Sequence, residues 1–416
     1  MRTRMDNVYI TGVAMTRMGR LDGATVKSLS REAVTGALAD AGISAGAVEA
    51  AYFSNATQRH LEGQLMIPGQ IALRDMGIEG IPVVNVENAC ASGSTALNLA
   101  AQFLKAGEGD VALAVGAEKM WTGDKAKMFS FFDSGWELAT AAENEKQLLA
   151  LGHGIDLPEG SESEKPYSVF MAVYAAFARA HMRLFGTTQA QFAAISAKNH
   201  NHSVENDKAQ FRDPYTVADV MGAPPITYPL TLPMCAPMSD GGAAAVLMTE
   251  AGMKRHGISR DRAIELRASV IQTGSDRDGD DFENHLTAKA ARRAYEKAGL
   301  GPEDVSVAEV HDATAVGELI QIENLGLFPF GEGAAASERG ETTIGGRVPV
   351  NPSGGLECKG HPIGATGLGQ VYELVSQLRG ECGTRQVEGA KVAIAENGGG
   401  LIGIEEAVAS VLILAR

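Results

Sequence analysis

An internal repeat constrains the fold of this chain more than any other feature of its 416 residues. Residues 33–57 read AVTGALADAGISAGAVEAAYFSNAT, and residues 290–314 read AARRAYEKAGLGPEDVSVAEVHDAT, at a constant offset of 257 residues. Each segment has an Ala-rich helical pattern, an Ala-Gly stop and a polar turn that leads into a short apolar strand. A duplicated unit fixes the architecture, because each copy must bury the same apolar faces.

A second pair of segments extends this repeat. CASGSTALNLAAQFL followed by DVALAVGAE is similar to GATGLGQVYELVSQL followed by AKVAIAENG. Each half therefore has the pattern strand, helix, strand, small-residue turn, helix, strand. Chance similarity between Ala-rich helices is the alternative, and the repeated order of elements argues against it. Alternating strands and helices predict an α/β fold whose sheets are covered by helices on both faces.

The segment between the two halves has a different composition. Aromatic and Met residues cluster in MFSFFDSGW and YSVFMAVYAAFARAHMRLF. A connection of this length is uncommon without structure of its own, so we predict an inserted, partly helical lobe that covers an active site. The predicted organisation is an N-terminal half over 1–120, completed by about 238–260, an inserted domain over 121–237 and a C-terminal half over 261–416.

Charge and hydropathy exclude two classes of partner. The net charge is −15 and the sequence has no basic run, which argues against a nucleic-acid partner. We found no segment with the roughly 18 apolar residues of a membrane span and no apolar signal-peptide core at the N-terminus. We therefore expect a cytoplasmic protein with no membrane span.

Cys90 differs from the other three cysteines in its surroundings. The four cysteines lie far apart without C-x-x-C pairs, which predicts free thiols. Cys90 stands in VENACASGSTAL, between an apolar strand pattern and a helical pattern, so it is predicted to lie on a strand-to-helix turn. A helix N-terminus stabilises a thiolate, so we expect a lowered thiol pKa. This stretch alone fits a nucleophile and a buried structural cysteine equally well.

Two histidines lie at comparable positions in the C-terminal half. NPSGGLECKGHPIGATG brings His361 to a helix start, where a neutral imidazole can take a thiol proton or donate to an oxyanion. EVHDAT puts His311 at the end of a short strand, and Asn397 ends another strand before three glycines. Either histidine alone also fits a structural role. Together with Cys90, at matching strand ends of two repeated halves, they are predicted to form one constellation.

These segments resemble the thiolases, specifically the sterol-carrier-protein type, along nearly the whole chain. The motifs run from VYITGVAMTRMGR through NACASGSTAL, VGAEKM, ITYPLTLPMCAPMSDGGAA, EVHDAT and NPSGGLECKGHPIGATG to ENGGG. The resemblance implies two stacked five-layered αβαβα halves with a loop domain inserted in the first, assembled as a homodimer or homotetramer. It also implies an acyl-CoA substrate, with coenzyme A as a substrate and without a permanently bound cofactor or metal.

The same resemblance assigns roles to individual residues. Cys90 matches the acylated nucleophile, and His361 matches the histidine that activates it. His311 matches the histidine of the His-Asp-Cys-Phe motif, which with a water helps to hold the thioester oxygen of the second substrate. Gly400, in the C-terminal glycine loop, matches the backbone donor to the other oxyanion.

The sequence departs from the thiolase pattern at the second acid/base. Thiolases carry a cysteine there, in a C-terminal Cys-x-Gly loop or in His-Asp-Cys-Phe, and this chain has Glu396 and Ala313 at those places. A buried Glu396 with a raised pKa is one replacement, although a turn residue pointing to water is an equal reading. Cys358, close before His361, is the other replacement.

Three functions remain open at this point. The first is a thiolase-type acyl-CoA acyltransferase that cleaves 3-ketoacyl-CoA, or runs the reverse Claisen condensation, through a Cys90 acyl-enzyme. The second is a thiolase-fold aldolase, or an acyltransferase to another acceptor. The third is a non-catalytic acyl-CoA or lipid carrier. An accessory protein that completes the site is compatible with the first two.

Overall fold

The computed structural model of this protein describes residues 7–416. Its strands are β1 (Val8–Met15), β2 (Ala50–Ser54), β3 (Val83–Val86), β4 (Val111–Glu118), β5 (Pro225–Thr227), β6 (Leu230–Thr231), β7 (Gly241–Thr249), β8 (Ile264–Thr273), β9 (Val307–Glu309), β10 (Val392–Ile402) and β11 (Glu405–Ala415). Its α-helices are α1 (Val26–Ala41), α2 (Gln58–Leu61), α3 (Pro68–Arg74), α4 (Ser92–Lys105), α5 (Lys125–Ser130), α6 (Ala141–Ala150), α7 (Val169–Phe185), α8 (Gln189–Ser203), α9 (Val217–Met221), α10 (Glu250–His256), α11 (Leu286–Ala298), α12 (Ala315–Asn324), α13 (Gly333–Glu338), α14 (Gly355–Lys359) and α15 (Thr366–Arg379).

The main sheet has two halves with the same strand order. Its nine strands follow the order β3-β2-β4-β7-β1-β8-β11-β10-β9. The halves join between β1 and β8, where Tyr9 pairs with Glu265 and Ile10 pairs with Ile264. Strand β2 pairs in parallel with β3 and β4, and β9 pairs in parallel with β10, while the other neighbours are antiparallel. Read from the junction outward, β1-β7-β4-β2 therefore corresponds to β8-β11-β10-β9.

Helices α4 and α15 form a central layer between the two halves of the sheet. Both helices have 14 residues, they contact each other, and each contacts strands of both halves. Helices α1 and α3 cover the outer face of the first half, and α11 with α12 covers the outer face of the second. The result is five layers, α-β-α-β-α, which confirms the predicted fold class and its duplicated design.

The sequence explains why the layers pack so closely. Strands β4 and β7 are buried at every position, as expected for strands covered by helices on both faces. Many of their residues are Ala or Gly, so the covering helices approach the backbone. At Gly12 on β1, a Cβ atom would collide with the carbonyl oxygen of Ala37 in α1. Each larger apolar side chain buried here, such as Leu29 or Val34, stabilises the fold by about 1.5–3 kcal/mol.

The segment between β4 and β7 contains α5 to α9 and the β5-β6 hairpin. Helices α7 and α8 lie against α12, and α8 also contacts α13 and α14 of the second half. The lobe also contacts α2 of the first half, where Lys127 donates to the carbonyl of Leu61. It therefore packs against helices of both halves. The boundaries 1–120, 121–237 and 261–416 stay predictions.

Among residues 7–416, no helix has the length and apolar character that crossing a membrane requires.

Candidate active site

The structure brings Cys90, His311 and His361 together. One sulfur or ring nitrogen from each lies within 4.8 Å of the others. The Sγ atom of Cys90 is 3.3 Å from Nε2 of His361, which is hydrogen-bond distance for sulfur. The two imidazole rings are 5.2 Å apart and meet edge to face. The geometry is that of a nucleophile beside a base, with a second imidazole adjacent.

Cys90 lies on a tight turn between β3 and α4. The hydroxyl oxygen of Ser92 accepts the backbone N–H of Asn88 at 2.8 Å and donates to the carbonyl of Ala89 at 2.6 Å. Ala89 has a φ of 48°, in the left-handed region that residues other than glycine rarely adopt. Such strain persists only where surrounding contacts over-determine the backbone, and here it aims Cys90 at the cavity.

The thiol of Cys90 is protonated at rest. Burial raises the pKa of Cys90 to about 12, and the carboxylates of Glu118 and Glu87 act in the same direction. The sequence prediction of a lowered pKa is therefore wrong. Cys90 lies two residues before the start of α4, and the loss of water outweighs the helix N-terminus.

The Thr366 hydroxyl is the partner of Nδ1 of His361. It lies 3.2 Å from Nδ1 and 3.1 Å from the carbonyl oxygen of Pro362, and its single proton can go to either acceptor. When the hydroxyl donates to Pro362, Nδ1 donates to Thr366 Oγ1. The other nitrogen, Nε2, is then a free acceptor directed at the sulfur of Cys90.

His361 is neutral at rest as well. Burial holds the pKa of His361 well below its usual range, and the neighbouring His311 lowers it further. A neutral thiol beside a neutral imidazole would pass its proton to nitrogen only during an attack by the sulfur. Such a pair suits general-base chemistry rather than a preformed ion pair.

His311 has the opposite tautomer. Its Nδ1 is 3.0 Å from the amide nitrogen of Asn397, whose amide oxygen accepts from the Ser94 hydroxyl at 3.2 Å. An amide NH₂ only donates, so Nδ1 accepts and Nε2 carries the proton. Burial lowers the pKa of His311 to about 4, although a contact with the Gly398 backbone opposes this. His311 is thus a neutral N–H donor, the form suited to an oxyanion.

The two predicted replacements for the second cysteine do not reach the active-site cavity. Glu396 is fully buried, not exposed to water, and its Oε2 accepts the backbone N–H of His311 at 3.0 Å. Burial raises its pKa well above the usual range, yet its side chain does not line the cavity. Cys358 is also fully buried and away from the cavity. Glu396 positions His311, and Cys358 is part of the packed interior.

Gly400 does line the cavity, beside Ala313. Its φ is 62°, and the pairing register of β10 with β11 passes from Gly399 to Leu401. Any side chain there would strain the backbone and approach the carbonyl oxygen of Gly135, because a Cβ would lie 3.2 Å from it. Glycine is therefore required at this position.

Glu118 was missed by sequence reasoning. It ends β4 and is fully buried, and its carboxylate accepts the backbone N–H groups of Ala56, Thr57 and Gly364. Burial raises the pKa of Glu118 to about 7, while these hydrogen bonds and the Thr57 hydroxyl oppose the shift. The carboxylate joins the turn after β2 to the loop that carries His361. A charged residue closing an apolar strand, VGAE, was the available signal.

The three site residues line a cavity of about 720 Å³. Aromatic and apolar side chains of the inserted lobe form much of its wall: Phe129, Phe131, Phe132, Tyr167, Phe170 and Met171. A largely apolar cavity with a few converging polar groups is typical of a site for a small organic ligand. The lobe thus covers the site.

A thiolate and two imidazoles are also ligands that Zn²⁺ prefers. Among residues 7–416, Cys90, His311 and His361 are the one group of at least three His, Cys, Asp or Glu side chains that lie close enough to share an ion. The 3.3 Å contact between Sγ and Nε2 also fits a hydrogen bond between the thiol and the imidazole.

Fold and site together define a duplicated five-layered α/β protein with a cysteine and two histidines between its halves. Two family models match the chain: "Thiolase, N-terminal domain" over residues 8–224 and "Thiolase C-terminal domain-like" over residues 268–416. The chain belongs to the thiolase family.

Curated relatives cover almost the whole chain. Sterol carrier protein 2 of Rattus norvegicus is 38% identical over 406 residues, which are 95% of this chain and 70% of that protein. Acetyl-CoA acetyltransferase of Methanothermobacter thermautotrophicus is 37% identical over 400 residues, 95% of this chain and 97% of that protein. Benzoylsuccinyl-CoA thiolase subunit BbsB of Thauera aromatica is 34% identical over 385 residues, 92% and 91% of the two chains.

A solved structure named Ltp2-ChsH2(DUF35) aldolase has the same fold. It superposes with a TM-score of 0.77, covers 99% of this chain and 98% of its own, and is 23% identical.

Proposed function

We propose that this protein is a thiolase-type acyl-CoA acyltransferase that cleaves 3-ketoacyl-CoA, or runs the reverse condensation, through an acyl-enzyme on Cys90. The observation that carries this proposal is the 3.3 Å contact between the Cys90 sulfur and Nε2 of His361 in a covered cavity. Family membership supports it, as do relatives named acetyl-CoA acetyltransferase and thiolase subunit.

The first half-reaction uses the Cys90–His361 pair. The sulfur attacks the 3-keto carbon as the thiol proton moves to Nε2 of His361. The bond between the α- and β-carbons then breaks, and its electron pair leaves as the enolate of the shortened CoA thioester, which takes up a proton. A positioned general base contributes about 10²–10⁴ in rate.

The second half-reaction returns the enzyme to rest. The thiol of coenzyme A attacks the acyl carbon on Cys90, a carbon–sulfur bond forms, and the Cys90 sulfur leaves. It regains its proton from His361. The N–H of His311 and the backbone N–H of Gly400 are the proposed donors to the oxyanions, and losing one such donor typically costs about 10²–10³ in kcat.

We also propose a homodimer or homotetramer. Leu65, Met66 and Ile67 are 62%, 74% and 56% exposed between α2 and α3, close to the edge strand β3. An exposed apolar stretch of this kind commonly marks a protein–protein contact. Light scattering on the purified protein measures the assembly. We further propose that an accessory protein completes the substrate site.

Intact-protein mass spectrometry after incubation with acyl-CoA and 3-ketoacyl-CoA thioesters tests the function. We expect an acyl-sized mass gain that is lost in Cys90→Ala and forms about 10²–10⁴ times more slowly in His361→Asn. Cys382→Ala is the matched control, since Cys382 is a free thiol outside the cavity, and it should acylate like the wild type.

Two results would contradict the proposal. An adduct that persists in Cys90→Ala would move the acylation to another residue. A wild type that binds coenzyme A but forms no adduct with any thioester would favour an aldolase or a non-catalytic carrier.

A further inference from the structure

The proposed cleavage leaves one proton unaccounted for. Breaking the carbon–carbon bond gives an enolate, which needs a proton from an acid near the α-carbon. His361 holds the proton taken from Cys90 and must return it to that sulfur. His311 carries its proton on one nitrogen only and acts as a hydrogen-bond donor. The chemistry therefore needs a further acid/base in the cavity.

The titratable groups along the cavity wall fall into two sets. Four of them are exposed to water: Arg59, His60, Glu87 and Lys165. The carboxylate of Glu87 accepts the backbone N–H of Ala89 at 2.7 Å. Four others are partly buried: Tyr167, Tyr174, Cys235 and Glu406. A carboxyl group is the strongest acid of the second set, which directs attention to Glu406.

Glu406 lines the same cavity as Cys90 and lies beside the glycines of β10. It lies on β11 and pairs with Leu401, next to Gly398 and Gly399 on β10. A Cβ at Gly398 would be 3.4 Å from Oε1 of Glu406, and a Cβ at Gly399 would be 3.0 Å from the backbone nitrogen of Cys90. Successive residues of a strand point to opposite faces, so the two glycines let the carboxyl group and the Cys90 turn each pack closely against β10. Both groups line the active-site cavity.

The carboxyl group of Glu406 is held in position from its other side. Gln321 Nε2 donates to its Oε1 at 2.9 Å, and Nε2 of His285 lies 3.5 Å from its Oε2. Behind it is a second cavity of about 360 Å³, and Glu406 and Tyr174 line both cavities. Burial raises the pKa of Glu406, which increases its protonated fraction near neutral pH.

We propose that Glu406 is the acid/base that moves the proton at the α-carbon. This inference rests on the proposed function. In cleavage, the carboxylic acid of Glu406 protonates the enolate and becomes a carboxylate. The carboxylate then accepts the thiol proton of coenzyme A as that sulfur attacks the acyl-enzyme. In condensation, the carboxylate removes the α-proton of the CoA thioester, and the resulting carbanion attacks the acyl carbon and displaces Cys90.

Cys235 is the competing group. It forms an isolated backbone bridge with Thr314, so its thiol lies next to Ala313 at the cavity. Its sulfur is 3.7 Å from the carbonyl oxygen of Thr231, to which the S–H donates. Burial raises the pKa of the Cys235 thiol, which makes it a weaker acid still. These contacts favour Glu406.

The experiment separates acylation from proton transfer at carbon. It compares wild type, Glu406→Gln, Glu406→Asp, Cys235→Ala and Glu323→Gln. Glu323 is the matched control, because its carboxylate lines the second cavity but not the active-site cavity. The readouts are Cys90 acylation by a simple acyl-CoA and deuterium uptake at the α-carbon of acetyl-CoA in D₂O.

We expect Glu406→Gln to acylate like the wild type and to lose deuterium exchange and thiolysis by about 10²–10⁴. Glu406→Asp should recover part of the exchange, while Glu323→Gln and Cys235→Ala should keep all of it. Exchange at the wild-type rate in Glu406→Gln, or its loss in Cys235→Ala, overturns the assignment. A wild type that does not acylate contradicts the proposed function. If that wild type still exchanges deuterium and Glu406→Gln does not, the assignment of Glu406 stands.

Discussion

The two halves of the molecule follow the same strand order but end differently. In the first half, β2 pairs over four residues with β3, and the short turn after β3 carries Cys90. In the second half, the place beside β9 holds a single parallel bridge between Ala308 and Val350. The chain after Val350 continues through α14 to His361. One half thus presents its candidate catalytic residue, Cys90, on a tight turn, and the other presents His361 on a long loop.

The forces that hold these two segments also differ. The Cys90 turn is closed by the hydroxyl of Ser92 over four residues of sequence. The His361 loop is held by buried charges, including Lys359 with Glu309 at 3.0 Å. Asp312 accepts the backbone N–H of Leu356 at 2.7 Å at the start of α14. A duplicated fold therefore supports a locally built site segment and one that depends on long-range charge pairing.

The largest effect on folding is expected from breaking a buried charge pair in the second half. Lys359→Met leaves the carboxylate of Glu309 without its cation in a fully buried position, which typically costs about 3–5 kcal/mol. Urea denaturation measures the free energy of unfolding. The exposed Lys391→Met is the control, with a change within about 0.5 kcal/mol. A loss below about 1 kcal/mol in Lys359→Met would remove the contrast between the two segments.

A smaller effect is expected from the turn in the first half. Ser92→Ala removes the acceptor for the Asn88 N–H and the donor to the Ala89 carbonyl, at a cost of about 1–2 kcal/mol. Acylation of Cys90 should slow as well, because the strained turn relaxes. Ser376→Ala in α15 is the matched control, since that hydroxyl only bonds the carbonyl of Tyr372 within the helix. Equal losses in both variants would show that the turn needs no hydroxyl.

The smallest effect concerns the charge that links the halves. The Glu118 carboxylate raises the pKa of Cys90, so Glu118→Gln should increase the thiolate fraction and the alkylation rate of Cys90 about two- to fivefold. Burial raises the pKa of Glu118 to about 7, so it is uncharged below that pH and charged above it. The ratio of variant to wild-type rates should therefore be near one at acidic pH and rise above neutrality.

Peptide mass spectrometry with iodoacetamide measures this ratio at Cys90, and Cys382 in the same samples is the internal control. A ratio that stays constant across the pH range would mean that the Glu118 charge does not reach the thiol.

Much of the fold could be predicted from the sequence, and less of the site. The repeat predicted the duplicated layers, and the strand-to-helix patterns located the segments that bear Cys90, His311 and His361. The thiol pKa was predicted wrongly, because burial depends on the inserted lobe that covers the turn. Glu118 and Thr366 were missed, since a carboxylate or hydroxyl in an apolar segment does not indicate its partners.

The sequence by itself determined the elements and their duplication, because hydrophobic periodicity and turn residues act over a few neighbours. Only the tertiary structure decided which groups enter the cavity. Glu396 stands where the family pattern has the cysteine of the Cys-x-Gly loop, but its side chain is buried outside the cavity. Glu406 lines the cavity from β11, which pairs with β10. Strand register and burial are properties of the assembled layers, and they set both the reach of a carboxyl group and its protonation.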